Sequence, residues 1–364
     1  MNNSAANVTK LQPHNSTCAV LYYGSTFQTF KIIVDVYIVG ALCVVGIFGN
    51  VMSFCVLRRM SGCSAPRLLQ ALSAADTGFL LTCLVFQTLR VIFFYFPSAP
   101  MSLFPYVEVW VWPVAAITQT TAVYLVVLVT VDRWRAVCFP LKTQKSRHRP
   151  RNTRICILVV ILFAVLFNIP TFLDMEVRWI VTTCRMEARA SWLYTNPYYN
   201  LIYKTILCFL FRTLLPLLTV IVLNVKLIIS IRTTSRQELG LRNKARDKHG
   251  LNVLISVVVS VFILCSTPDF VFRIVNALEL YSPTFLPLDM SHLAYMATIT
   301  NLLLTLNSSS NFFIYYLTGT KFRQMLQQTC GCKNKHEYSA INVTVESKLT
   351  SSPANSKKFI MDKM

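Results

Sequence analysis

Charge is scarce in this chain of 364 residues. Asp, Glu, Lys and Arg make up 14% of it, where a soluble domain carries about a quarter. Acid is scarcer still, with 15 Asp and Glu against 35 Lys and Arg. With 54% hydrophobic residues and a mean hydropathy of +0.51, this composition excludes an ordinary soluble domain and points to an integral membrane protein. The sequence lacks a glycine-rich phosphate loop, a cluster of metal ligands and a nucleophile paired with a base, so nothing in it indicates an enzyme, a metal site or a cofactor. It also lacks internal repeats with matching broken helices, which a transporter built from two halves would show. The first 31 residues contain no signal-peptide apolar core, so the first long apolar run is expected to serve as an uncleaved anchor.

Seven apolar runs are present, at Ile32–Leu57, Leu68–Phe94, Tyr106–Val131, Ile155–Leu173, Leu201–Ile231, Leu251–Leu278 and Met290–Leu317. Each meets the roughly 20 residues that a helix needs to cross about 30 Å of hydrocarbon. The expected fold is therefore all-α, a seven-transmembrane helix bundle over residues 32–318. An N-terminal tail (1–31) precedes it, and a short amphipathic stretch (319–332) and a disordered tail (333–364) follow.

The net charge of +20 is unevenly placed, which argues against nucleic acid as its cause. Arg135, Lys142, Lys145, Arg147, Arg149, Arg151 and Arg154 follow the third run. Arg232, Arg236, Arg242, Lys244, Arg246 and Lys248 follow the fifth, and Arg58, Arg59 and Arg67 the first. The alternate connections carry few. By the positive-inside rule the basic loops are cytoplasmic and the N-terminus is outside; attraction to anionic lipid accounts for much of the rest. Three glycosylation sequons, at Asn2, Asn7 and Asn15, agree with an external tail. Asn342 also heads a sequon but falls on the cytoplasmic side.

Of twelve cysteines, only Cys18 and Cys184 face the oxidising side in this topology. They are expected to form a bridge from the tail to the second extracellular loop; two free thiols or an intermolecular link are the alternatives. Cys330 and Cys332 follow an amphipathic stretch in which Phe322, Met325 and Leu326 share a face. That fits palmitoylation beside a helix on the inner leaflet; a metal site would need a second pair.

Function has to come from polar residues inside the membrane. Arg133 stands in Val131-Asp132-Arg133-Trp134, at the end of a run with no other charge between Glu108 and Asp132. A bare arginine at a helix centre costs roughly 2.5–3.5 kcal/mol on insertion scales, less near an end. Asp76 must face the bundle interior and find donors; Asn50, Asn307, Ser308 and Asn311 are of the right kind. A structural hydrogen-bond network and a water- or sodium-filled core that rearranges are both open readings. At the outer end, Arg90, Arg212, Asp269 and Arg273 gather with Gln87 and Gln119 among them. Pro268 lacks the amide hydrogen that would bond the preceding turn, and so kinks its helix beside Asp269. Either Arg212 and Asp269 form an ion pair, or Asp269 faces a ligand in a cationic pocket. Tyr124, Phe270 and Phe272 would suit an aromatic ligand, and Glu108, Asp174, Glu176, Glu187 and Glu279 are candidates to attract a basic one.

Taken in order, one set per helix, Asn50, Leu72 with Asp76, Asp132-Arg133-Trp134, Cys138-Phe139-Pro140-Leu141, Pro216, Phe262 through Pro268, and Asn311 through Tyr315 resemble the signatures of rhodopsin-like G-protein-coupled receptors. The resemblance covers about residues 32–332. Gln119 through Leu125, Asn168-Ile169-Pro170, Asn224 with Leu227-Ile228, and Asn307 through Phe312 are similar to invertebrate FMRFamide-type neuropeptide receptors. The resemblance implies a multi-pass plasma-membrane receptor for an RFamide-like peptide, or else for a small-molecule or amino-acid-like ligand. It implies that Arg133, flanked by Pro140 and Leu141, receives a heterotrimeric G protein. Asn50, Asp76, Phe262, Pro268, Asn307, Ser308, Asn311 and Tyr315 would form an activation core. Arrestin and receptor kinases would act on tail sites such as Ser347, Thr350, Ser351 and Ser352.

The chain departs from the pattern in telling places. Glu108 replaces the usual cysteine of helix three, and no cysteine lies between Cys83 and Cys138. Ser266 replaces the tryptophan before the helix-six proline, Asn224 the inner tyrosine of helix five, and Phe312 the proline of helix seven. Ala122 replaces a serine that often assists sodium binding. Helix six offers Lys248 rather than an acid to Arg133, so Arg133 is expected to pair with Asp132.

Overall fold

The computed structural model describes residues 25–60, 64–95, 104–139, 150–180, 185–237, 242–281 and 290–329. Seven long helices form a bundle: α1 (residues 25–59), α2 (64–95), α3 (Phe104–Cys138), α4 (Pro150–Asn168), α5 (197–237), α6 (Arg242–Tyr281) and α7 (Met290–Thr318), followed by the short α8 (Thr320–Thr329). Six helices have apolar windows long enough to cross a membrane. The remaining one, α7, has the length, but Asn301, Asn307, Asn311 and three consecutive serines dilute its hydropathy. It can still span because a helix satisfies its own backbone and Ser308, Ser309 and Asn311 are turned inward. Leu158, Leu264, Leu317 and Phe48 stand on the outside of the bundle, the apolar coat that lipid requires.

The main core joins α2, α3, α5, α6 and α7 through Leu72, Leu125, Val129, Val220, Val259, Phe262 and Tyr315. Close approach of α1 to its neighbours depends on small residues. A Cβ at Gly46 would lie 2.6 Å from the Ser309 Cβ of α7 and 2.9 Å from its Cα. In α8, Phe322 is buried against Tyr315 and Phe312, so the apolar face read from the sequence turns onto the end of the bundle.

Two features were not legible as helical runs. The connection from α4 to α5, read as a loop, holds an antiparallel hairpin of β1 (Met175–Ile180) and β2 (Arg185–Ala190). Its register sets Glu176 opposite Arg189 and Arg178 opposite Glu187, and opposed charges stabilise such pairs. The outer parts of three helices are wound as π-helix: Ile32–Ile38 in α1, Leu84–Leu89 in α2, and Asn200–Leu207 and Phe209–Leu214 in α5. Such winding is rare and concentrates at functional sites.

Candidate functional site

Arg212, Asp269, Arg273 and Gln119, four of the six residues expected near a ligand, line one cavity in the outer half, with Thr213, Ser266 and Leu217. Pro268 places Asp269 at the start of the outer segment of α6. Of the two readings, the direct Arg212–Asp269 ion pair is not formed. Asp269 accepts instead from Nε of Arg273 at 2.8 Å, one turn further along the same helix. Arg212 Nη2 donates to Oε1 of Gln119 on α3 at 2.7 Å. The structure thus brings the charges together but pairs them differently, because a partner four residues away on one helix needs no other helix to align.

Arg90 and Gln87 do not line this cavity. Arg90 reaches Glu108 at 3.3 Å and lies over the Phe86 ring at 5.3 Å. Glu108, where the resemblance would put a cysteine, thus joins α3 to α2 by charge. Of the aromatic candidates, Tyr124 bonds the Phe211 carbonyl at 2.8 Å and packs edge-on against Phe163, while Phe270 packs on Phe209.

Most of the acids read from the sequence as extracellular are already engaged. Glu176 pairs with Arg178 and Glu187 with Arg189. Asp174 is fully buried. Its carboxylate accepts from Tyr199 Oη at 2.7 Å and from Lys204 Nζ, both on α5. Its carbonyl accepts from the Ser191 amide at 2.9 Å, and Ser191 Oγ donates to the Leu173 carbonyl. Asp174 precedes β1 and Ser191 follows β2, so one knot closes the base of the hairpin and ties it to α5. Burial, and then the Asp174 charge, raise the nearby Tyr194 phenol above its ordinary range. Sequence reading missed this knot, since only the fold brings its parts together.

Below the outer cavity lies a second one, lined by Asp76, Asn307, Ser308 and Asn311. The two share Gln119, Val123, Phe262, Ser266 and Leu304 as walls; Ser266 stands where the resemblance would put a tryptophan. Asp76 accepts from Asn311 Nδ2 at 2.7 Å. Asn50 donates to the Ser308 carbonyl at 2.8 Å and to that of Gly46 at 2.9 Å. These bonds link α1, α2 and α7. Asn168 donates to Thr120 Oγ1 at 3.1 Å, joining α4 to α3. Tyr315 is wholly buried beneath.

At the far end Arg133 is 2% exposed. Its Nη2 lies 2.8 Å from Oδ2 of Asp132, whose other oxygen accepts from Ser64 Oγ on α2 at 2.7 Å. Pro140, Leu141, Cys18, Cys184, Asn2, Asn7, Asn15, Cys330, Cys332 and the tail serines and threonines lie outside the described residues.

A polar outer cavity, an amide-bound acid beneath it and a buried arginine at the opposite end form one column through a seven-helix bundle. A family model described as serpentine-type 7TM GPCR chemoreceptor Srw matches residues 37–333. The chain is 30% identical over 302 residues to the FMRFamide peptide receptor frpr-18 of Caenorhabditis elegans, covering 78% of this chain and 66% of that one. It is 28% identical over 295 residues to the FMRFamide receptor of Drosophila melanogaster, covering 78% of this chain and 51% of that one. Against the somatostatin receptor type 2 of Mus musculus it is 25% identical over 349 residues, covering 90% and 88%. This chain therefore spans about two thirds or less of the two FMRFamide receptors' length, and most of the somatostatin receptor's. Column, bundle and match agree that this multi-pass membrane protein belongs to the serpentine seven-transmembrane G-protein-coupled receptor family.

Proposed function

We propose that this protein is a plasma-membrane receptor for a neuropeptide ending in an amidated arginine-phenylalanine pair, and that it drives nucleotide exchange on a heterotrimeric G protein. The N-terminus faces outward, as the basic loops direct. The observation that carries the proposal is the shared wall between the two cavities. A ligand that moves Gln119, Phe262 or Ser266 acts directly on the chamber of Asp76 and Asn311. The relatives named as FMRFamide receptors give the ligand class.

A ligand shifts the population only by binding one state more tightly than the other. Here Asp269 holds Arg273 in the absence of ligand, and a peptide arginine exchanges with that partner. The strain passes to α6 at Pro268 and to the common wall. Outward motion of α6 opens a cytoplasmic cavity in which Arg133 leaves Asp132 and meets the G protein. Receptor kinases and arrestin then act on the tail.

Purified receptor, G protein and Phe-Met-Arg-Phe-amide provide the test. Peptide-stimulated nucleotide exchange is expected, and Arg133→Ala is expected to reduce it at least tenfold at equal peptide binding. Stimulation that survives Arg133→Ala unchanged removes that arginine from the contact, and no stimulation by any amidated arginine-phenylalanine peptide removes the ligand class.

A further inference from the structure

In the outer half of the bundle and its hairpin, basic side chains come with acids. Lys31 pairs with Asp35 at 2.6 Å, Arg90 with Glu108 at 3.3 Å, Arg189 with Glu187 at 2.7 Å and Arg273 with Asp269 at 2.8 Å. Arg178 pairs with Glu176 and Lys204 with Asp174. Arg212 breaks the series. Among the described residues no carboxylate lies within ion-pair distance of it, and its partner is the neutral oxygen of Gln119. The cavity it lines therefore holds two guanidinium groups, Arg212 and Arg273, against one carboxylate, Asp269.

A guanidinium inside a bundle that lipid surrounds needs an anion or a water-filled path. Gln119 supplies a dipole and leaves the charge standing. The remaining donors of the planar guanidinium suit a small anion, and the Ser266 hydroxyl lines the same cavity. We infer that Arg212 is an anion-binding site in the outer cavity, taking one negative charge on a small group: a halide ion, or a carboxylate carried in by the ligand. The site uses only the membrane setting and the charges of the cavity, so it stands whether or not the peptide reading does. Where both hold, they are coupled. An anion on Arg212 cancels the cavity's excess positive charge and eases entry of a basic peptide.

The experiment begins with full-length purified receptor in the absence of peptide. Its unfolding temperature is followed in sodium chloride and in sodium gluconate at equal ionic strength. A halide site gives a saturable rise in chloride of at least about 2 °C, since anything that binds only the folded state stabilises it. Arg212→Gln is expected to abolish the rise. Gln119→Glu places a carboxylate beside Arg212 and is expected to abolish it too, which keeps the test open if Arg212→Gln does not fold. If chloride has no effect, the ligand-borne source predicts that Phe-Met-Arg-Phe-amide extended by an N-terminal Asp binds at least tenfold tighter in gluconate than the same amide extended by Asn. That preference should vanish in Arg212→Gln and in Gln119→Glu. A receptor indifferent both to chloride and to the Asp carboxylate, or an effect that survives in these variants, overturns the site. Neither G protein nor nucleotide enters the first arm, so its result is separate from that of the exchange assay.

Discussion

In the outer half of the bundle, Lys31 meets Asp35 and Arg273 meets Asp269, each partner four residues away on the same helix. In the inner half, the Asp76 acid meets an amide 235 residues away, and Asn50 reaches a carbonyl 258 residues away. A pair carried by one helix can be exchanged for another partner while the helices stand still. A bond between helices breaks only if they move. The Asp269–Arg273 pair is thus placed to trade contacts, and the Asp76 and Asn50 bonds to register motion. The winding follows the same division, with π-helical segments outside and regular α-helix within.

Of the outer contacts that cross between elements, the Asp174 knot holds the most deeply buried carboxylate, and its removal should have the largest effect. Lys204→Met leaves a fully buried carboxylate with the Tyr199 hydroxyl as its remaining side-chain partner. Breaking a buried pair from one side costs about 3–5 kcal/mol. The expected result is a large fall in the unfolding temperature and in surface expression. Asp174→Asn on the Lys204→Met background should recover most of both. A loss of only about 0–1 kcal/mol, as for an exposed pair, would show that the hairpin is held by something else.

Packing sharpens the comparison at a smaller magnitude. Gly46→Ala drives a methyl group against the side chain and backbone of Ser309 in the inner half. Overpacking of this kind costs about 1–3 kcal/mol. Gly40→Ala in the outer half meets only the Thr88 side chain, at 3.2 Å, and should cost less than about 1 kcal/mol. Denaturation of the two variants in one detergent compares them directly. Equal losses would mean that the two halves are equally rigid.

Much of this plan is legible in the sequence, for physical reasons that vary by element. Apolar runs locate all seven helices because lipid demands an apolar coat, and α7 gives the weakest signal because Asn307, Ser308, Ser309 and Asn311 interrupt its run. The Asp132–Arg133 pair is legible because its members adjoin. Asp76 with Asn311 is legible only through the ordered motifs, since nothing local joins residues so far apart. Whether Arg212 and Asp269 pair was open in the sequence, and the fold gives each a nearer partner. The Asp174 knot was not legible at all. Aspartate, serine, tyrosine and lysine spread over 31 residues look like an ordinary extracellular loop until the hairpin closes.

The smallest effect bears most directly on the outer half as a place where contacts are exchanged. If a peptide arginine displaces Arg273 from Asp269, then Asp269→Asn removes the charge for which both compete. Potency of Phe-Met-Arg-Phe-amide should fall about tenfold, some 1.4 kcal/mol, at unchanged surface expression. Arg273→Gln should act in the opposite direction, because it frees Asp269 and removes one of the two cations in the cavity. Opposite shifts in a concentration–response series would identify Arg273 as the ligand's competitor. A fall in both variants would instead make the Asp269–Arg273 pair a fixed part of the cavity wall, and the outer half would then resemble the inner half in holding its partners through activation.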